Sequence, residues 1–148
     1  MFLPALLGLL LVAATVFIHT GGTVFLNSRV RRLTSRGSMR MSRVLAFLPF
    51  SVGLLLLLHI LHVLLWQWAY FEILDIPELD TFEESIYFSI VTYTTLGYGD
   101  IVIAGPWRIL SGIQAMNGIL MFGWSTALLF DMISRINESP GKSLDRTG

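Results

Sequence analysis

Three long apolar runs divide the chain, and a fourth, shorter run lies between the second and the third. Residues 2–26 are apolar apart from a polar patch at His19, Thr20 and Thr23. Residues 44–70 carry an unbroken leucine run at 54–58, and residues 109–130 form the last apolar stretch, about 33 Å long as a helix. Each meets the roughly 20 residues that a spanning helix needs. The short run opens on Thr81-Phe82-Glu83-Glu84, the form of a capping box, and continues through Ile86, Tyr87, Phe88, Ile90 and Val91 to about Tyr93. A dozen residues cannot cross a bilayer, so this helix reads as re-entrant. Pro49 and Gly53 are expected to bend the second span.

Composition agrees: of 148 residues, 54% are hydrophobic and 14% charged, which suits an integral membrane protein and a single domain. The absence of cysteine excludes disulfides, thiolate metal sites and thiol catalysis. Formal charge is zero, but the charges are segregated. Arg29, Arg31, Arg32, Arg36, Arg40 and Arg43 follow the first run, whereas Glu72, Asp75, Glu78, Asp80, Glu83 and Glu84 follow the second. The positive-inside rule then sets the amino terminus outside and the carboxyl terminus in the cytoplasm. A cleaved signal fits poorly, since positive charge does not precede the run and no small-x-small site follows it. Trp66, Trp68, Tyr70 and Phe71 are expected to form an aromatic belt at the outer boundary. Residues 27–43 are expected to be a basic cytoplasmic connector and 75–80 a solvated turret, with Pro106-Trp107-Arg108 marking the next interface. The expected organisation is an amino-terminal helix and linker (1–43), a pore unit (44–135) and a disordered cytoplasmic tail (136–148).

Between the short helix and the third span lies Thr94 to Asp100, T-T-L-G-Y-G-D. Loop-like backbone at membrane depth is tolerated only where protein buries it or where it lines a watery path. Gly97 and Gly99 permit backbone angles that set successive carbonyls on one side. Such carbonyls can replace the hydration shell of a potassium ion.

The run from Ser89 to Asp100 resembles the pore helix and selectivity filter of tetrameric potassium channels, most of all the bacterial two-helix pore type, here with an added amino-terminal helix. The resemblance covers residues 44–135. It implies an all-α membrane protein with three spans, a re-entrant pore helix and a homotetrameric pore in a bacterial plasma membrane, with itself, lipid and K+ as partners. It also implies that Thr95, Leu96, Gly97, Tyr98 and Gly99 form the filter, with K+ held at Thr95 to Tyr98. Thr94, Asp100, Tyr87 and Phe88 would support it, with Tyr98 packing on the last two. Leu96 stands where valine is commoner, and Val91 where some members carry a glutamate that pairs with the filter aspartate. Gly118 falls at the inner-helix hinge. Ile119, Phe122 and Thr126 then face the cavity at helical spacing, and Phe130 is expected to form a hydrophobic constriction. Gly112, Ala115 and Gly118 are first of all close-packing residues.

Two other patterns carry competing readings. The arginines at 29/32 and 40/43 have the spacing of a voltage sensor but lie among Ser, Gly and Thr; a topology signal in contact with anionic lipid fits better. His59 and His62 share a face of the second span; a proton sensor or metal pair competes with histidines bonded to neighbouring helices. Gln114 and Asn117 suit interhelical hydrogen bonds. No enzyme constellation is visible, and neither a cofactor nor a nucleic-acid partner is expected. A weakly selective cation channel and a non-conducting accessory subunit are the alternatives.

Overall fold

The computed structural model describes residues 2–34, 41–74 and 76–137, with side chains for 2–32, 46–74 and 76–136. Asp75, Arg36, Arg40, the Arg43 side chain and the tail from 138 onward lie outside the described residues. Within them every regular element is helical. Helix α1 (Phe2–Thr34) is followed by α2 (Met41–Trp68), which ends in a π-helical turn (Ala69–Ile73). Then come α3 (Phe82–Tyr93), a 3-10 turn (Gly105–Trp107) and α4 (Arg108–Asn137). The segments Phe2–Arg32, Ala46–Ile73 and Gly105–Ile136 are long and apolar enough to cross a membrane.

The connector is shorter than the sequence suggests. Helix α1 runs on through Arg29, Arg31 and Arg32 to Thr34, because Leu26 and Val30 keep the helical period and bury against Leu55, Leu58, Leu128 and Met132. At 33 residues it is about 50 Å long, well beyond a hydrocarbon core of roughly 30 Å. Cations in its last turn also suit the negative end of the helix dipole. The Arg29 guanidinium lies 4.9 Å from the Phe25 ring centre.

Helix α1 packs in the groove between α2 and α4. Its buried stripe is Pro4, Gly8, Leu11, Thr15, His19, Leu26 and Val30, recurring at helical spacing. A Cβ on Gly8 would lie 2.7 Å from Ile113, and one on Gly22 would collide with Leu58. These two glycines bring α1 close to both neighbours. Thr20 of the polar patch is exposed, and its hydroxyl donates to the Val16 carbonyl of its own helix.

Helix α2 continues unbroken past Pro49. Its aromatic end divides in two. Trp68 is exposed, but Trp66 and Tyr70 are fully buried and pack with Phe88 and Leu110, so the expected belt is half core. The loop before α3 is not wholly solvated either, since Ile76 and Leu79 turn into the same cluster. Helix α3 begins with the capping box anticipated for it: the Glu84 amide donates to Thr81 Oγ1 (3.1 Å) and the Thr81 amide to Glu84 Oε2 (3.0 Å).

Candidate functional site

The loop after α3 is built on the carbonyls that the helix end leaves open. Val91 O accepts from the amides of Leu96 (3.0 Å) and Gly97 (3.3 Å), Thr92 O from Thr95 (3.0 Å) and Ile90 O from Thr94 (2.9 Å). No peptide bond among the described residues is cis. In a trans peptide the carbonyl points opposite to the amide hydrogen. Amides directed back into α3 therefore turn the carbonyls of Thr95 and Leu96 away from it. Thr95, Gly97 and Gly99 have φ of 60°, 55° and 78°. Left-handed residues at every second position reverse the normal strand alternation and hold successive carbonyls toward one side. Glycine takes that region freely, whereas Thr95 does so at a cost of about 1–2 kcal/mol.

All seven residues from Thr94 to Asp100 are exposed in the protomer, Tyr98 by 68%. The expected packing of Tyr98 on Tyr87 and Phe88 is not present within one chain. Phe88 instead faces the second helix, its ring 5.3 Å from Tyr70 in an edge-to-face contact. Tyr87 takes a different role: its hydroxyl donates to Asp100 Oδ2 at 2.6 Å. That bond holds the Asp100 carboxyl below its usual range. Val91 cannot pair with Asp100, so the tyrosine one helical turn earlier supplies the restraint. The Thr94 hydroxyl donates to the Ile90 carbonyl (2.8 Å), which fastens the start of the loop.

Buried polar bonds tie α3 to its neighbours. Gln114 on α4 donates from Nε2 to Ser89 Oγ (2.7 Å) and accepts from the Tyr70 hydroxyl (3.0 Å). Ser89 donates to the Val63 carbonyl of α2 (2.9 Å), and Gln67 to Ser85 (3.0 Å). The Thr15 hydroxyl lies 3.1 Å from Asn117 Oδ1, joining α1 to α4. Such bonds are the usual glue between spans.

Gly118 is buried against the end of α3, and an added Cβ there would run into the Tyr93 carbonyl oxygen. Ile119, Thr126 and Phe130 are exposed on α4. Phe122 is also exposed, by 39%, and stacks on the His59 ring at 4.4 Å. Gly112 meets no neighbour within 4 Å. It lines a cleft of about 380 Å³ behind the loop, with Phe88, Val91, Gly97, Ile101 and Ala115 among its other walls. His19, His59 and His62 are all buried and lie together, their ring centres 5.4 to 6.0 Å apart, and His59 and His62 meet Tyr93. Sequence reasoning places His19 on the first span and His59 and His62 on one face of the second, but misses Tyr93 and Ser125 as the groups that join them. Only the position of Tyr93 just ahead of the heptad hints at its importance.

Three apolar helices long enough to span a membrane, with a short capped helix packed between α2 and α4 and an exposed loop after it, define a helical membrane protein. A family model described as an ion channel matches residues 58–135, from within α2 to near the end of α4. The match spans more than half of the chain, which therefore belongs to this family of ion channels. No curated protein and no solved structure gives a match.

Proposed function

We propose that the protein conducts potassium selectively and passively through a filter formed by residues Thr95 to Gly99 of four copies. The observation that carries this reading is the loop itself: amides turned back into α3, left-handed backbone at every second residue, and no cover within the protomer. Backbone of that kind at membrane depth needs protein or a water-filled path around it. A single strand cannot surround an ion, and cyclic closure of four supplies the ring of carbonyls that replaces water around potassium. The exposed Tyr98 ring and the apolar cleft behind the loop are surfaces that neighbouring copies would cover. The Thr95 hydroxyl adds an oxygen at the inner end. The exposed acids Glu72, Glu78 and Glu83 on the outer side, repeated around an axis, raise the local concentration of cations.

Gly97→Ala tests the assignment cleanly. A Cβ there meets nothing within 4 Å, so alanine acts only through its resistance to φ of 55°. Purified protein in liposomes is expected to pass potassium in preference to sodium, and Gly97→Ala to lose at least about tenfold of the potassium flux, the scale of one strained residue in each of several copies. Equal potassium and sodium permeation by the wild type would establish the weakly selective channel instead. No flux at all would favour the accessory subunit.

A further inference from the structure

We propose that Tyr93 is a positioning residue for the filter, held by a chain of hydrogen bonds His62–Tyr93–His59–Ser125–His19 through which α1 and a captured proton act on ion discrimination. The inference rests on the potassium-channel reading above and adds to it a role for α1 and for the three histidines.

Tyr93 closes α3 and stands two residues ahead of Thr95. Its backbone is lodged against Gly118 and its side chain is fully buried. The hydroxyl lies 3.0 Å from both His59 Nδ1 and His62 Nδ1. From His59 the path continues through Nε2 to Ser125 Oγ (3.0 Å), and from there to His19 Nε2 (3.3 Å). One chain of contacts thus links α2, α3, α4 and α1.

Counting protons shows what this chain does. A neutral imidazole offers one donor and one acceptor, and each hydroxyl has one hydrogen to give. Tyr93 therefore donates to one histidine and accepts from the other, and Ser125 does the same. Fixing the direction of any one bond fixes all four. With His59 donating to Tyr93, the lone pair of His59 Nε2 accepts from Ser125, which accepts from His19. His19 Nδ1 is then a bare acceptor, and His62 Nε2 carries a hydrogen. The opposite polarity exchanges these ends. Both end atoms are buried; His19 Nδ1 has no hydrogen-bond partner among the described residues, and His62 Nε2 has none within bonding distance, with the Thr15 carbonyl facing that ring. In either polarity one bare nitrogen remains to take a proton, and the charge so gained acts along bonds that run through Tyr93.

The other groups facing the chain are neutral. Helix α4 brings Ser125, Phe122 and Trp124 to it. Helices α1 and α2 contain no acid. The acids of α3 lie at its capped start, and Asp131 of α4 is paired with Arg135 at 2.8 Å. A proton taken up here is therefore not neutralised locally. It places positive charge behind the inner end of the filter, where the carboxyl end of α3 otherwise favours a cation.

The test is potassium and sodium flux by full-length protein in liposomes at about pH 8 and about pH 4, the lower value chosen because a buried imidazole with no counter-charge resists taking up a proton. Wild type is expected to discriminate well at the higher pH and less well at the lower. Tyr93→Phe keeps the ring and removes one hydroxyl; its potassium-to-sodium ratio should fall about tenfold at both, the scale of a buried hydrogen bond left unmade. His19→Gln keeps a donor toward Ser125 but takes up no proton, and its ratio should be the same at the two pH values. Should Tyr93→Phe fail to assemble, the comparison of wild type with His19→Gln at the two pH values carries the test. The inference is overturned by a folded Tyr93→Phe with wild-type ratios, or by an acid response that survives in His19→Gln. A wild type that passes sodium as readily as potassium at both pH values sinks the potassium reading first, and this one with it.

Discussion

Gly118 illustrates how a single residue can carry two readings that only geometry separates. As a hinge, it would matter through freedom of the α4 backbone. In the structure it matters through contact, because the Tyr93 carbonyl occupies the space a Cβ would take, and that carbonyl belongs to a helix end that cannot easily yield. Overpacking of this kind costs typically about 1–3 kcal/mol. Gly118→Ala is therefore expected to lower the thermal unfolding midpoint of the detergent-solubilised protein and to weaken filter-dependent flux along with it. A hinge without the contact would change channel opening and leave the midpoint alone. At this scale the glycines of the heptad are legible in the sequence because carbonyl display requires their backbone freedom. The left-handed Thr95 is not, since threonine rarely adopts that region. Nor is the partner of Phe88: a buried ring near the loop suits either Tyr98 or Tyr70, and only the rotation of α3 decides.

Among the elements, α1 is the one the sequence describes least. Its spanning character is plain from length, but a helix apolar on every side has no polar stripe to show, by contrast, which face meets protein. In lipid that face is marked by small and polar residues, which allow close approach and interhelical bonding. Gly8, Thr15, His19 and Gly22 recur at helical spacing, and all four meet α2 or α4. The same logic explains why Trp66 and Tyr70 are core rather than belt: aromatic content does not reveal which ring turns inward near the π-helical turn. Adjacent glycines in α1 supply a controlled experiment. A side chain at Gly22 collides with Leu58, whereas Gly21 is exposed and has nothing within 4 Å. Gly22→Leu is expected to detach α1 locally, lowering the unfolding midpoint by several degrees and speeding amide exchange in α1. Gly21→Leu should leave both unchanged. Equal behaviour of the two variants would mean that α1 does not depend on this packing.

For the whole molecule, the outer and inner ends of the proposed pore pose different physical problems. The end that carries the Thr94–Asp100 loop is held by many bonds within each protomer: Tyr87 to Asp100, Gln114 to Ser89, and the amides of residues 94–97 to α3. At the other end, among the described residues, α4 packs on α1 and α2 through Leu128 and Met132 and carries an Asp131–Arg135 pair within its own turn. Motion that opens and closes a path is more easily accommodated there than in a region whose local unfolding would break a network. Phe130 lies on that part of α4 and is 73% exposed, a large apolar ring with little cover from its own chain. Four such rings around an axis would form an apolar neck, and a neck narrow enough to lose its water stops ions without touching them. Phe130→Ala widens and wets the neck, so single-channel open probability in planar bilayers is expected to rise, with potassium selectivity retained because the filter is unaltered. Phe130→Leu, still apolar but smaller, should fall between alanine and the wild type. An unchanged open probability in Phe130→Ala would place the barrier to conduction elsewhere. The filter itself, braced through Tyr93, would then be the part of the protein that both selects and gates.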